Sequence, residues 1–247
     1  MCKINSFLIV LSFISVLPIP QRFLPEWTPG NLRYFCVMIP IAGVIFSVIW
    51  FMLWNVLSIP AISPLLRGFV MMILTLALTG GLHLDGLMDT SDAIFSHRDR
   101  ETRLKILSDT HAGSFAVMAC VTTLMAKTLL FAEHFTLHTS HFTLITIPIY
   151  SRLGMAILLN NLPFAKSNGL AVILGSSRSR RDNLSLAVMF LLLSALNMNL
   201  IPAILILCLV VHVLICLRLF GGITGDLLGA FVESSEVIML FGVIICI

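Results

Sequence analysis

Apolar positions along this chain come in long unbroken blocks, not in the alternation of half-buried strands. The blocks fall near residues 4–17, 34–54, 65–82, 112–131, 142–160, 184–199, 200–219 and 235–247. Most approach the roughly 20 residues that a helix needs to cross a bilayer. The pattern predicts an all-α fold: a polytopic integral membrane bundle of about seven to nine transmembrane or re-entrant helices. The first and last blocks are short, as tilted or re-entrant segments would be. A turn is expected near Asn197, Asn199 and Pro202. A β-barrel would show alternation instead. With no internal repeat and no low-complexity linker, residues 1–247 read as a single membrane domain.

The amino-terminal "MCKINSFLIVLSFISVLPIP" begins like a signal peptide, with Lys3 ahead of an apolar segment. No small-x-small cleavage site follows, and Pro18 and Pro20 end the segment, so a first, uncleaved helix is expected.

Composition agrees with the pattern. Hydrophobic residues make up 58% of the 247 and charged ones 11%, with a mean hydropathy of +1.04. The lipid bilayer is therefore the expected surrounding. A net charge of only +3 argues against a nucleic-acid partner. None of the six cysteines forms a C-x-x-C pair, and most lie in apolar blocks, so they read as packed hydrophobes.

Charge sorts the loops. With eight spans, the segments 18–33, 83–111, 161–183 and 220–234 share one side and carry most of the arginines, which places them in the cytoplasm. Lys3, Arg67 and Lys127 fall on the opposite side. All acidic residues except Glu133 also fall on the cytoplasmic side or its edge, an asymmetry that topology does not explain.

The acids concentrate in "GGLHLDGLMDTSDAIF", at the end of an apolar block. Asp85, Asp89 and Asp92 follow i, i+4, i+7 spacing, which on a helix places them within about 60° of one another. Three unpaired anions in one stripe repel, and a hard divalent cation such as Mg²⁺ or Mn²⁺ suits their oxygens. The alternative is an amphipathic helix whose acids only face water. Gly80, Gly81 and Gly86 favour the site reading, since a solvated helix has no need of close backbone approach. His83 is the nearby histidine.

Downstream, "HRDRETRLKILSDTHAG" brings Arg98, Arg103 and Lys105 beside Asp109 and His111. Metal with arginine is a recurring arrangement for holding a pyrophosphate. His111 is a ligand contact or an interfacial side chain. A second stripe lies in "GGITGDLLGAFVESSE": Gly222, Asp226, Gly229 and Glu233, with Gly225 in the same turn. It serves helix packing, or it supplies Asp226 and Glu233 to the first stripe. Arg152, inside an apolar block, faces the bundle interior or snorkels to an interface. Lys166 and the arginines of 178–181 suit an anion or anionic lipid.

In this order, "LSFISVLPIP", "TGGLHLDGLMDTSD", "RLKILSDTHAGSFAV", "LPFAKSNGL" and "GGITGDLLGAFVESSE" resemble the cobalamin synthase family, adenosylcobinamide-GDP ribazoletransferases, over most of the chain. Three positions depart from the family's usual pattern. Ala93 follows Asp92 where glycine is common, and His111 stands where arginine is common. Lys166 replaces an arginine, keeping the charge but losing the bidentate fork.

The resemblance implies that α-ribazole or its 5′-phosphate attacks adenosylcobinamide-GDP with release of GMP, in the cell inner membrane, the active site facing the cytoplasm. It implies Mg²⁺ held by Asp85, Asp89 and Asp92, with Asp226 or Glu233. Arg98, Arg103 and Lys105 would hold the guanylyl phosphate, with Asp109, His111, Arg152, Lys166, Gly222 and Gly225 as further substrate contacts. A carboxylate or His83 would take the proton of the attacking hydroxyl. Contacts with other corrinoid-assembly enzymes are a further expectation.

Other classes share part of this pattern. A CDP-alcohol phosphatidyltransferase shares the aspartates and Mg²⁺, but its D-G-x-x-A-R signature fails at Asp89-Thr90. A transporter would place ionisable residues at mid-membrane, and only Arg152 stands out there.

Overall fold

The computed structural model describes residues 2–59, 61–137, 139, 141–176, 178–196 and 200–245, apart from the side chain of His141. Among them the fold is helical throughout, and no strand occurs. In chain order the helices are α1 (Cys2–Ile14), α2 (Pro29–Leu32), α3 (Phe35–Leu57), α4 (Pro64–Thr79), α5 (Leu82–Phe95), α6 (Arg100–Ile106) and α7 (Ser114–Leu137). They continue as α8 (His141–Asn161), α9 (Leu170–Leu174), α10 (Arg180–Leu196), α11 (Ile201–Ile215) and α12 (Gly225–Ile245). A π-turn over Cys216–Phe220 extends α11.

Five stretches are long and apolar enough to cross a membrane: α3, α7, most of α8, Ile201–Phe220 and α12. A bent pair, α4 with α5, makes a sixth if counted as one span. The chain is thus a multi-pass membrane protein, and among the described residues fewer helices are full-length spans than the seven to nine transmembrane or re-entrant helices expected. The difference has identifiable causes. Helix α1 has only 13 residues, about 20 Å at helical rise. Helix α10 has 17, and α4 and α5 meet at 91°. The turn expected at Asn197 and Asn199 lies outside the described residues; α11 begins at Ile201 with Pro202 in its first turn. Cys246 also lies outside them. The five remaining cysteines are free, and Cys36, Cys208 and Cys216 are buried as packed hydrophobes.

The turn between α4 and α5 is written in "TGG". Gly80 and Gly81 have φ of +63° and +76°, a left-handed pair that side chains resist. The Gly80 and Gly81 N–H groups donate to the Ala77 and Leu76 carbonyls, closing α4, and the Gly81 carbonyl accepts from Asp85 N–H to open α5. Helix α5, of 14 residues, is about 21 Å long, short of the bilayer core, so we read it as a non-spanning helix.

Helix α12 corrects the topology drawn from hydropathy. It starts at Gly225, ten residues before the expected block, because glycine, aspartate and glutamate in its first turns lower local hydropathy. Glu233 and Glu236 therefore sit inside the helix, 5% and 1% exposed. Lys127 of α7, expected across the membrane from Glu233, stands 2.7 Å from it and 2.8 Å from Glu236. Arg152 of α8 pairs with Glu236 and donates to Ser151 Oγ at 2.9 Å. Arg152 thus faces the bundle interior, 1% exposed, over the ring of Phe46. Two cations against two carboxylates make these four buried charges mutually compensated.

Candidate active site

Helices α5 and α12 touch backbone to backbone. A Cβ at Gly86 would stand 2.7 Å from the Asp226 carbonyl, and one at Gly229 would stand 3.0 Å from the His83 carbonyl. Gly86 admits no side chain at this crossing, and Gly229 leaves little room for one. It brings Asp85 and Asp226, distant in sequence, to the wall of one cavity of about 240 Å³.

The cavity's other wall comes from a pairing of loops. Phe164 and Ile223 form an isolated parallel bridge, with Ile223 N–H donating to Pro163 at 2.8 Å and Ala165 N–H to Ile223 at 3.0 Å. Gly222 lies at the centre of this approach; a Cβ there would be 2.5 Å from the Pro163 carbonyl. Its role in the structure is thus to let two loops meet. The pairing sets Lys166 on the cavity wall with Asp226, where its ammonium donates to Ser108 Oγ at 2.5 Å. Gly225 lines the same wall with nothing within 4 Å of a notional Cβ, so the side of the backbone where a side chain would stand faces open space. Asn168 and Thr224 also line it, and Thr224 Oγ1 donates to Asp226 at 3.3 Å. Neither was expected; an amide and a hydroxyl beside glycines carry no pattern that marks them.

The three aspartates of α5 do different things. Asp85 is exposed on the cavity wall. Asp89 is half-buried, and burial together with the charges of Asp85, Asp226, Asp92 and Asp109 pushes its carboxyl up to about 6. Asp92 accepts from Gly113 N–H at 2.6 Å and Ala116 N–H at 2.9 Å. It caps the start of α7 from a neighbouring helix, so both its oxygens are already engaged.

His83 lines the cavity but is 2% exposed, and neither ring nitrogen has a hydrogen-bond partner among the described residues. His212, read as a packing residue, is one: its Nε2 lies 2.7 Å from the Leu227 carbonyl.

The structure does not bring the remaining expected residues to this cavity. Glu233 is committed to Lys127, and Arg152 to Glu236. Arg98, Arg103 and Lys105 are absent from its lining, on or next to the short helix α6. Asp109 accepts from the backbone and ring of His111, the ring at 2.7 Å, which holds its carboxyl below the usual range. The His111 side chain is 90% exposed. From the same region Arg100 reaches the Ala165 carbonyl at 3.5 Å, over the Gly221 turn.

Among the described residues no three His, Cys, Asp or Glu side chains converge on one metal-sized point. The donor chemistry still suits a hard cation. Mg²⁺ is commonly held through one or two carboxylates, with substrate phosphate and water completing its shell. Asp85 and Asp226, both on the cavity wall, meet that description; Asp89, one turn further along α5, is absent from the lining, and Glu233 and Asp92 are already bonded elsewhere.

A multi-pass helical membrane protein with carboxylates of two crossing helices gathered opposite a lysine is the class that fold and site define. The chain belongs to the cobalamin-5-phosphate synthase family, whose model matches residues 6–244. Among its relatives, an adenosylcobinamide-GDP ribazoletransferase of Geobacillus thermodenitrificans is 34% identical, covering 97% of this chain and 95% of the relative. Proteins of the same name from a Geobacillus species (strain WCH70) and from Halalkalibacterium halodurans are 33% and 32% identical, over 94% and 97% of this chain and 92% and 95% of the relatives. No solved structure matches the chain.

Proposed function

We propose that the chain is an adenosylcobinamide-GDP ribazoletransferase of cobalamin nucleotide-loop assembly. A hydroxyl of α-ribazole, or of its 5′-phosphate, attacks the corrinoid-linked phosphorus of adenosylcobinamide-GDP. A new P–O bond forms to that hydroxyl, the bridging P–O bond to the guanylyl phosphate breaks, and GMP leaves. The hydroxyl proton passes to a base at the site. Membership of the family across residues 6–244 carries the reading.

The acidic cavity is where we place the reaction. Its volume of about 240 Å³ suits a nucleoside or a pyrophosphate, and the corrin ring would rest outside it. Lys166 would hold a phosphate oxygen, and the open backbone at Gly225 would admit another. Asp85 and Asp226 would hold Mg²⁺, which when bound neutralises the pyrophosphate charge and favours departure of GMP. Asp92 keeps α5 against the start of α7, fixing the helix that carries the other two aspartates. We place the protein in the cell membrane with this cavity on the cytoplasmic side, where both nucleotides are soluble.

Neither rival gains support. The buried charges that a transporter would use are present, but they pair with one another across α7, α8 and α12. The test is direct: purified protein in detergent with adenosylcobinamide-GDP, α-ribazole and Mg²⁺ should yield stoichiometric GMP and a corrinoid with a completed nucleotide loop. Absence of corrinoid product from folded protein would overturn the reading.

A further inference from the structure

A second hollow, of about 510 Å³, opens between the start of α3 and the start of α10, away from the acidic cavity. Arg33, Tyr34, Ser179, Arg181 and Asp182 line it. Its two arginines differ from nearby Arg178, whose guanidinium donates to the Leu162 carbonyl at 2.6 Å and lies over Phe164. Arg33 and Arg181 form no ion pair and donate no side-chain hydrogen bond among the described residues. Asp182 is 7% exposed, and its Oδ2 is buried without a hydrogen-bond partner.

Arg33 lies over the Tyr34 ring, 5.8 Å from its centroid, which leaves its N–H donors unspent. Two guanidiniums without an ion pair call for an anion with several acceptor oxygens, and phosphate is the common match. A buried carboxylate oxygen without a hydrogen-bond partner calls for a donor, and beside a phosphate the fitting donor is cationic. One ligand meets both demands only if it carries phosphate and a primary ammonium a short link apart. The surroundings indicate where such a ligand comes from. Arg181 heads a stripe on α10 at i+3, i+7 and i+10: Leu184, Val188 and Leu191, which are 71%, 46% and 65% exposed. Val44, Val48 and Phe51 of α3 are likewise exposed. Acyl chains attached to a phosphate in the hollow would find an apolar track at once.

We infer that this hollow binds the phosphoethanolamine head group of a membrane phospholipid. The phosphate lies between Arg33 and Arg181, the ammonium on Asp182, and the acyl chains along α10. This assignment is independent of the reaction at the acidic cavity.

The test uses the full chain in detergent, titrated with dihexanoyl phosphatidylethanolamine, the matching phosphatidylcholine and phosphatidylglycerol, and free phosphoethanolamine. Binding is read by native mass spectrometry. The ethanolamine lipid should bind about tenfold tighter than either other lipid, since trimethylammonium cannot donate and glycerol carries no charge. Asp182→Asn should abolish that preference while phosphatidylglycerol binding holds or rises. Arg33→Ala and Arg181→Ala should weaken all three lipids. Equal affinity of the unaltered protein for ethanolamine and choline lipids would overturn the proposal, as would an unchanged preference in folded Asp182→Asn. Free phosphoethanolamine binding as tightly as the lipid would overturn the lipid assignment. The comparison of ligands on the unaltered protein decides the matter even where a variant fails to fold.

Discussion

Gly86 of α5 lies against the Asp226 backbone of α12, so close that a single added carbon would stand 2.7 Å from the Asp226 carbonyl oxygen. The contact sets how far the Asp85 and Asp226 carboxylates stand apart. Gly86→Ala should therefore push the helices apart, costing about 1–3 kcal/mol of stability and most of the activity. Gly229→Ala, whose nearest neighbour would be at 3.0 Å, should be milder in both respects. Melting temperature and GMP release of the two variants, measured side by side, check the order; a harmless Gly86→Ala would mean that the crossing does not set the site.

Asp89 carries a stability prediction with a definite sign. Its carboxyl is raised to about 6, above the value for an unfolded chain, so the folded state binds its proton more tightly. The resulting destabilisation grows as pH rises toward about 6 and is fully present above it. Without Mg²⁺, Asp89→Asn should melt above the unaltered protein at pH 7.5, the gap closing near pH 4. A lower melting temperature for the variant at pH 7.5 would contradict the crowding of charge described here.

Asp92 should behave as the reverse. As the cap of α7, its replacement by alanine should cost about 1–2 kcal/mol. Asp85→Ala, at an exposed position with no such bonds, should leave stability nearly unchanged. Thermal melts at pH 7.5 separate the two.

The four buried charges predict a pairing effect. Arg152→Met leaves Glu236 short of a cation and should destabilise by about 3–5 kcal/mol. Adding Glu236→Gln should recover part of that loss, although Lys127 then gains a weaker partner. A double variant no better than the single one would show that the pairing is not what matters.

Much of this was legible in the sequence, and the failures have physical reasons. Unbroken apolar blocks declare helices and a membrane, and the i, i+4, i+7 aspartates declare one stripe. The stripe does not say which oxygens are already bonded: Asp92 faces N–H groups of residues 113 and 116, a tertiary contact without a local signal. Hydropathy also misplaced the start of α12, because Asp226 and Glu233 resemble loop residues until the crossing with α5 and the Lys127 partner on α7 are known. Lys166 was found as a basic residue, but its place opposite Asp226 depends on the bridge from Phe164 to Ile223.

The central claim is that the acids of the α5–α12 crossing, and not those buried deeper in α12, serve the transfer. Its most direct test is Mg²⁺-dependent GMP release from adenosylcobinamide-GDP and α-ribazole by Asp226→Asn and Glu233→Gln, each shown to be folded. We predict a fall of about a thousandfold or more for Asp226→Asn and a change of less than about tenfold for folded Glu233→Gln, whose partner Lys127 keeps Glu236. Near-normal turnover by Asp226→Asn would contradict the account.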